Sequence, residues 1–151
     1  MNELVARAIL FSAIEGGQSF WSSEISTKGA LAVYEKLLGG GYESIKYEKL
    51  ISSLRGISGD QVLSEIDKHQ SRLITPIDED WPVQVNDLAA PPIGLIIKGN
   101  ISALHQRSLA IVGTRNPTSY GARIAGDFAA GFADREWAIV SGGAYGIDSY
   151  A

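Results

Sequence analysis

Apolar residues recur at helical spacing through the first 73 positions. Leu4, Ala8, Phe11 and Ile14 fall on one face of a first helix, which Gly16-Gly17 ends. Ser26 or Thr27 can cap a second helix carrying Leu31, Tyr34, Leu37 and Leu38, stopped by Gly39-Gly40-Gly41. A third, shorter segment runs from Tyr47 to Leu54 and ends at Arg55-Gly56. Ser58 or Asp60 can cap a fourth, with Val62, Leu63, Ile66, His69 and Leu73 on one face. The pattern predicts a small bundle of four short helices. Arg55-Gly56-Ile57-Ser58-Gly59 reads as a helix–helix turn, and such a turn can also present backbone N–H groups to phosphate.

The pattern changes after residue 73. Pro76, Pro82, Pro91 and Pro92 exclude regular helix, and Asp78-Glu79-Asp80 is a solvated acidic run. Leu95-Ile96-Ile97-Lys98-Gly99 reads as a strand, and Ser102 to Gln106 as a short bridge. Leu109 to Val112 then forms a continuous apolar run, the signature of a parallel strand covered on both faces. A helical stretch follows in which Asn116 can act as cap with Pro117 at the first position. Tyr120, Ile124, Phe128 and Phe132 recur every fourth residue and are expected to face the sheet, with Gly121, Ala125 and Ala129 beside them for close packing. Ala138 to Val140 is the next strand. The expected fold class is therefore α/β, with a helical domain over residues 1–73 and a parallel β-α-β region within 74–151.

Composition narrows the chemistry. The chain has 151 residues, 45% hydrophobic and 20% charged, which is globular rather than disordered. With no cysteine, a disulfide scaffold, a thiolate metal site and a cysteine nucleophile are excluded. His69 and His105 lack a third ligand at useful spacing, so no metal and no cofactor is expected. The apolar stretch from Ala6 to Ile14 is interrupted by Arg7 and is too short for a span, so a cytoplasmic, membrane-free protein is expected. The net charge of −4 argues against a broad basic surface for nucleic acid. A local anion site remains open, because a few arginines and oriented amides act locally.

Such a site is expected where two strands end in glycine. Gly113, Thr114 and Arg115 follow the first strand, and Ser141, Gly142, Gly143 and then Gly146 follow the second. No large side chain blocks the amides of the second turn, so a phosphate nest is reasonable there. Thr118 and Ser119 can donate hydroxyls to phosphate or simply cap the helix. Gly113 can be a turn glycine and Arg115 a surface arginine. Asp148 reads as a cap or a partner of neighbouring backbone more than as a catalytic group. Tyr120, Trp21, Trp81 and Trp137 read as packing residues, and Arg123 as a solvated helix residue. Neither the G-x-G-x-x-G dinucleotide fingerprint nor a P-loop lysine is present.

Taken together, Ile111-Val112-Gly113-Thr114-Arg115, Thr118-Ser119-Tyr120-Gly121 and Val140-Ser141-Gly142-Gly143-Ala144-Tyr145-Gly146-Ile147-Asp148 closely resemble the DNA-processing protein A family (DprA, also called Smf). The likeness runs back through Ile74-Thr75-Pro76, Trp81-Pro82, Pro91-Pro92 and Lys98-Gly99-Asn100, and more loosely into the helical part, which looks SAM-like or helix-hairpin-helix-like. Gly143 departs from the family pattern, which often has a larger apolar residue there.

The resemblance implies the N-terminal fragment of a longer protein, with residues 74–151 forming the first part of a Rossmann-like domain. It implies single-stranded DNA binding, loading of RecA recombinase during natural transformation and recombination, a homodimer in the full-length protein, and no catalysis. By motif match, Gly113, Thr114, Arg115, Thr118, Ser141, Gly142 and Gly143 would line the DNA phosphate pocket. An alternative is a nucleotide-cleaving phosphoribohydrolase-like enzyme that shares these turns. A further reading makes residues 1–73 a partner-binding helical module.

Overall fold

The computed structural model describes residues 1–43 and 45–151 as a mixed α/β chain. It divides into two compact units, Met1–Gly99 and Asn100–Ala151.

The first unit holds five helices: α1 (Glu3–Ala13), α2 (Ser19–Lys28), α3 (Ala30–Leu38), α4 (Ser44–Gly56) and α5 (Gly59–Lys68). Their apolar faces close on Ala6, Ile9, Leu10, Trp21, Ile25, Ala30, Val33, Leu37 and Leu54, all buried. Asn2 caps α1 by accepting the Val5 N–H at 2.8 Å, and Ser58 caps α5. Gly59 begins α5 where it crosses α1; a β-carbon there would lie 2.6 Å from the Val5 carbonyl.

The bundle differs from the four helices that periodicity predicts. Ser26 and Thr27 sit inside α2 rather than capping the next helix. The break falls at Gly29, whose φ of 83° few other residues adopt. The cap of α3 comes from α1: the Glu3 carboxylate accepts the N–H groups of Ala30 (2.7 Å) and Leu31 (2.9 Å). Glu3 also takes the buried Arg7 guanidinium at 2.9 Å, and Arg7 donates in turn to the Ile93 carbonyl. The predicted helix through Leu73 stops at Lys68, because Gln70 turns to a φ of 54°.

Leu73 belongs instead to β1 (Ser71–Ile74), which pairs antiparallel with β2 (Leu95–Lys98), Ser71 opposite Lys98 and Ile74 opposite Leu95. Between them the acidic run is partly engaged. Asp78 accepts both the N–H and the hydroxyl of Thr75, and Arg72 pairs with Asp80. Trp81 is buried, its indole N–H on Asn86.

The second unit contains β3 (Ser108–Ala110), α6 (Ser119–Ala133) and β4 (Ala138–Val140), with β3 and β4 parallel and Leu109 opposite Ile139. The run predicted to be covered on both faces is not: Ser108 and Ala110 of β3 are exposed, and Val112 beyond it is 68% exposed. The helix face that packs is Ala122, Ala125 and Ala129 rather than the aromatic ladder; Tyr120 and Phe128 are exposed. Phe132 stands edge-on to Trp137, and Arg107 lies over the Trp137 ring. Among the described residues no helix is long and apolar enough to cross a membrane.

Candidate nucleic-acid interface

The candidate site lies in the second unit, where β3 and β4 run out into turns at the same end of their two-stranded sheet. The pairing persists one step past β3, the Ile111 N–H reaching the Val140 carbonyl at 2.9 Å. Ser141 then ties the two chains again, its hydroxyl donating to the Ile111 carbonyl at 2.8 Å. That hydroxyl proton is engaged within the sheet rather than presented outward.

Beyond this tie the segment after β4 folds back over the turn after β3. The Ile147 N–H bonds to the Thr114 carbonyl at 3.1 Å. Gly146, at φ 89° and ψ −136°, makes the approach possible: a β-carbon there would fall 2.2 Å from the Thr114 carbonyl oxygen and 2.5 Å from the Arg115 α-carbon. Gly113 is likewise pressed, by the Ile147 side chain. Gly143, at φ 68°, has open space where a side chain would go.

Asp148 completes the arrangement. One carboxylate oxygen accepts the Gly113 N–H at 3.3 Å and the other accepts the Gly142 N–H at 3.1 Å. The two strand-end glycines expected to line an anion site are thus brought together by a carboxylate of the same chain. The reading of Asp148 as a partner of backbone matches this geometry, with one of the bonds reaching 35 positions away along the chain.

Three expected contributors sit on the outer side of the β3 turn. Thr114 accepts the Asn116 N–H at 3.2 Å through its hydroxyl oxygen. Arg115 is exposed, and no carboxylate of the described residues pairs with it. Thr118, not Asn116, is the cap of α6, accepting the Gly121 N–H at 3.1 Å, so Pro117 precedes the cap and is not the first helical residue. Ser119 opens the helix, exposed at the positive end of its dipole. Gly146 and Ile147 were outside the predicted site residues. The signal for Gly146 was the third glycine of the second turn, where glycine permits a backbone conformation or a close approach that other residues do not.

This set of groups suits the binding of an anion. It offers a free guanidinium, hydroxyls and a helix N-terminus, which together attract an oxyanion. Among the described residues no group of three His, Asp or Glu side chains is placed to hold a metal ion.

Comparison with known proteins places the same region in context. The family model described as DNA recombination-mediator protein A matches residues 72–151. A Mycobacterium tuberculosis protein whose name carries DprA is 42% identical over 93 residues, covering 53% of this chain and 24% of that protein. The DNA processing protein DprA of Bacillus subtilis is 38% identical over 71 residues, 46% of this chain and 24% of that protein. Protein Smf of Synechocystis is 32% identical over 119 residues, 75% of this chain and 29% of that protein. The chain therefore spans about a quarter of the length of the curated relatives it matches.

Proposed function

The chain belongs to the DNA recombination-mediator protein A family, and from that premise we propose that it contributes phosphate contacts to a single-stranded DNA binder acting in recombination. The observation that carries this reading is the rim of the β3 turn: an exposed, unpaired Arg115 next in sequence to Thr114 and shortly before the N-terminus of α6. Such groups hold a phosphodiester without reading a base, so binding is sequence-independent.

In this reading β3-α6-β4 is the opening of a Rossmann-like sheet in the DNA-binding domain, and the five helices of the first unit form a helical module apart from it. The whole protein is cytoplasmic, dimeric and non-catalytic, protects incoming strands, and loads a RecA recombinase during transformation. The names of the relatives, which speak of DNA processing, support the substrate class.

The test is fluorescence anisotropy of a labelled oligonucleotide over a range of salt concentrations. Arg115→Ala is expected to weaken binding and to flatten the log–log salt slope by about 0.7, the loss of one single-strand phosphate contact. An unchanged affinity and an unchanged slope would remove Arg115 from the phosphate path.

A further inference from the structure

The two amides best placed for an anion are already taken. Gly113 and Gly142 stand at the ends of neighbouring parallel strands, and their N–H groups converge on the two oxygens of one carboxylate, at 3.3 and 3.1 Å. Two N–H donors converging on paired oxygens are what an oxyanion seat offers. Here the oxyanion is Asp148.

The carboxylate is not a side chain that happens to reach in. Its backbone is held by the Ile147 N–H on the Thr114 carbonyl, by the Ser149 N–H and hydroxyl on the Gly146 carbonyl, and by the closeness of Gly146 to Thr114 and Arg115. The glycines at this crossing are closely approached by the segment itself. A β-carbon at Gly142 would lie 3.0 Å from the Asp148 carboxylate, and one at Gly113 would lie 2.7 Å from Ile147. The turns are shaped around the 146–148 segment at least as closely as they would be around a ligand.

We infer that Asp148 is a built-in anion that fills the oxyanion seat between the two strand-end turns, so that an external phosphate is held at the rim by Arg115, the start of α6 and the open Gly143, and not by the Gly113 and Gly142 amides. The second half of this statement rests on the phosphate-binding reading above; the first half does not. Asp148 is accordingly a positioning residue. It fixes the spacing of the two turns and decides which donors remain for a ligand.

Inorganic phosphate is the probe, with the chain itself and no nucleic acid. In Asp148→Ala the seat is vacated and its two N–H groups are free. Phosphate is expected to raise the melting temperature of this variant by on the order of 5 °C at tenfold its dissociation constant, beyond any rise in the parent. Sodium chloride at matched ionic strength sets the baseline for both proteins.

In amide NMR of the parent, phosphate should leave the Gly113 and Gly142 resonances in place, whereas in Asp148→Ala it should move both. An equal thermal response in parent and variant overturns the inference. If the variant fails to fold, the parent spectrum decides: movement of Gly113 and Gly142 with phosphate shows the seat open in the presence of Asp148 and overturns it, and their constancy supports it. Failure of oligonucleotide binding, by contrast, would remove the DNA reading and leave the seat standing.

Discussion

Gly146→Ala should loosen the site far more than Gly143→Ala, although both glycines lie in the same turn and both have positive φ. At Gly143 the added methyl meets nothing within 4 Å, so the cost is the left-handed backbone alone, about 1–2 kcal/mol. At Gly146 the backbone region, φ 89° with ψ −136°, is one that only glycine occupies comfortably, which costs roughly 1–3 kcal/mol. The methyl would also sit 2.2 Å from the Thr114 carbonyl oxygen. That atom is backbone and cannot rotate away, so the two turns must separate. Separation breaks the 3.1 Å bond from Ile147 to Thr114, worth about 1 kcal/mol net.

The difference between the two variants is therefore about 1.5 kcal/mol, roughly tenfold in a local opening equilibrium. Amide hydrogen exchange reads it directly. The Ile147 N–H should lose about tenfold more protection in Gly146→Ala than in Gly143→Ala, and the Ile111 N–H, which bonds within the sheet, should lose less. Equal protection in the two variants would refute the close crossing of the turns, and with it the argument that the 146–148 segment shapes the site.

Three further outcomes concern the helical unit. Burial pushes the Glu3 carboxyl up, but the Leu31 and Ala30 amides and the Arg7 guanidinium outweigh it and hold it below the usual carboxylate range. Its contribution is present above about pH 4.5 and is lost as pH falls through the lower folded value, so the gap in urea midpoint between parent and Glu3→Gln should be full at neutral pH and shrink as pH falls below about 4.5; a constant gap would contradict the link between α1 and α3. Burial first, then the hydrogen bond to Glu24, raises the Tyr42 phenol to about 12. Ultraviolet titration should show a tyrosine ionising near pH 12, with stability declining from about pH 10 to about pH 12; a Tyr42→Phe chain with the same alkaline profile would exclude Tyr42 as the source. Gly59→Ala should lower the melting temperature despite the better helix propensity of alanine: the β-carbon meets Val5 backbone at 2.6 Å, and overpacking costs about 1–3 kcal/mol against a gain of about 1. A rise in melting temperature would show that α1 and α5 are not in that contact.

The helical unit was legible wherever local pattern decides the outcome. α1, α4 and α5 follow apolar periodicity, and Ser58 caps by a short-range bond. The division of α2 from α3 was not legible, because the group that caps α3 is Glu3, some 27 positions earlier in sequence. In α6 the ladder Tyr120, Ile124, Phe128 and Phe132 looked like the packing face. Steps of four residues, however, advance about 40° beyond a full turn, so the ladder winds around the helix. Ala122, Ala125 and Ala129, spaced three and four apart, hold one direction and are the residues that pack.

The two turns were legible in sequence and what fills them was not, and the distinction follows from what a glycine reports. Glycine in a strand-end turn says that something comes close to the backbone; it does not say what. Here the approaching group is Ile147 at Gly113, Asp148 at Gly142, and the Thr114–Arg115 backbone at Gly146. Only Gly143 faces open space. Three of the four turn glycines thus serve the chain's own closure. In the proposed phosphate-binding reading, contact with a ligand falls to groups that sequence alone leaves ambiguous: an arginine without a partner among the described residues and the first turn of a helix. A glycine-rich phosphate turn and a glycine-rich self-docking turn look the same in sequence. The position of a single carboxylate, Asp148, tells them apart.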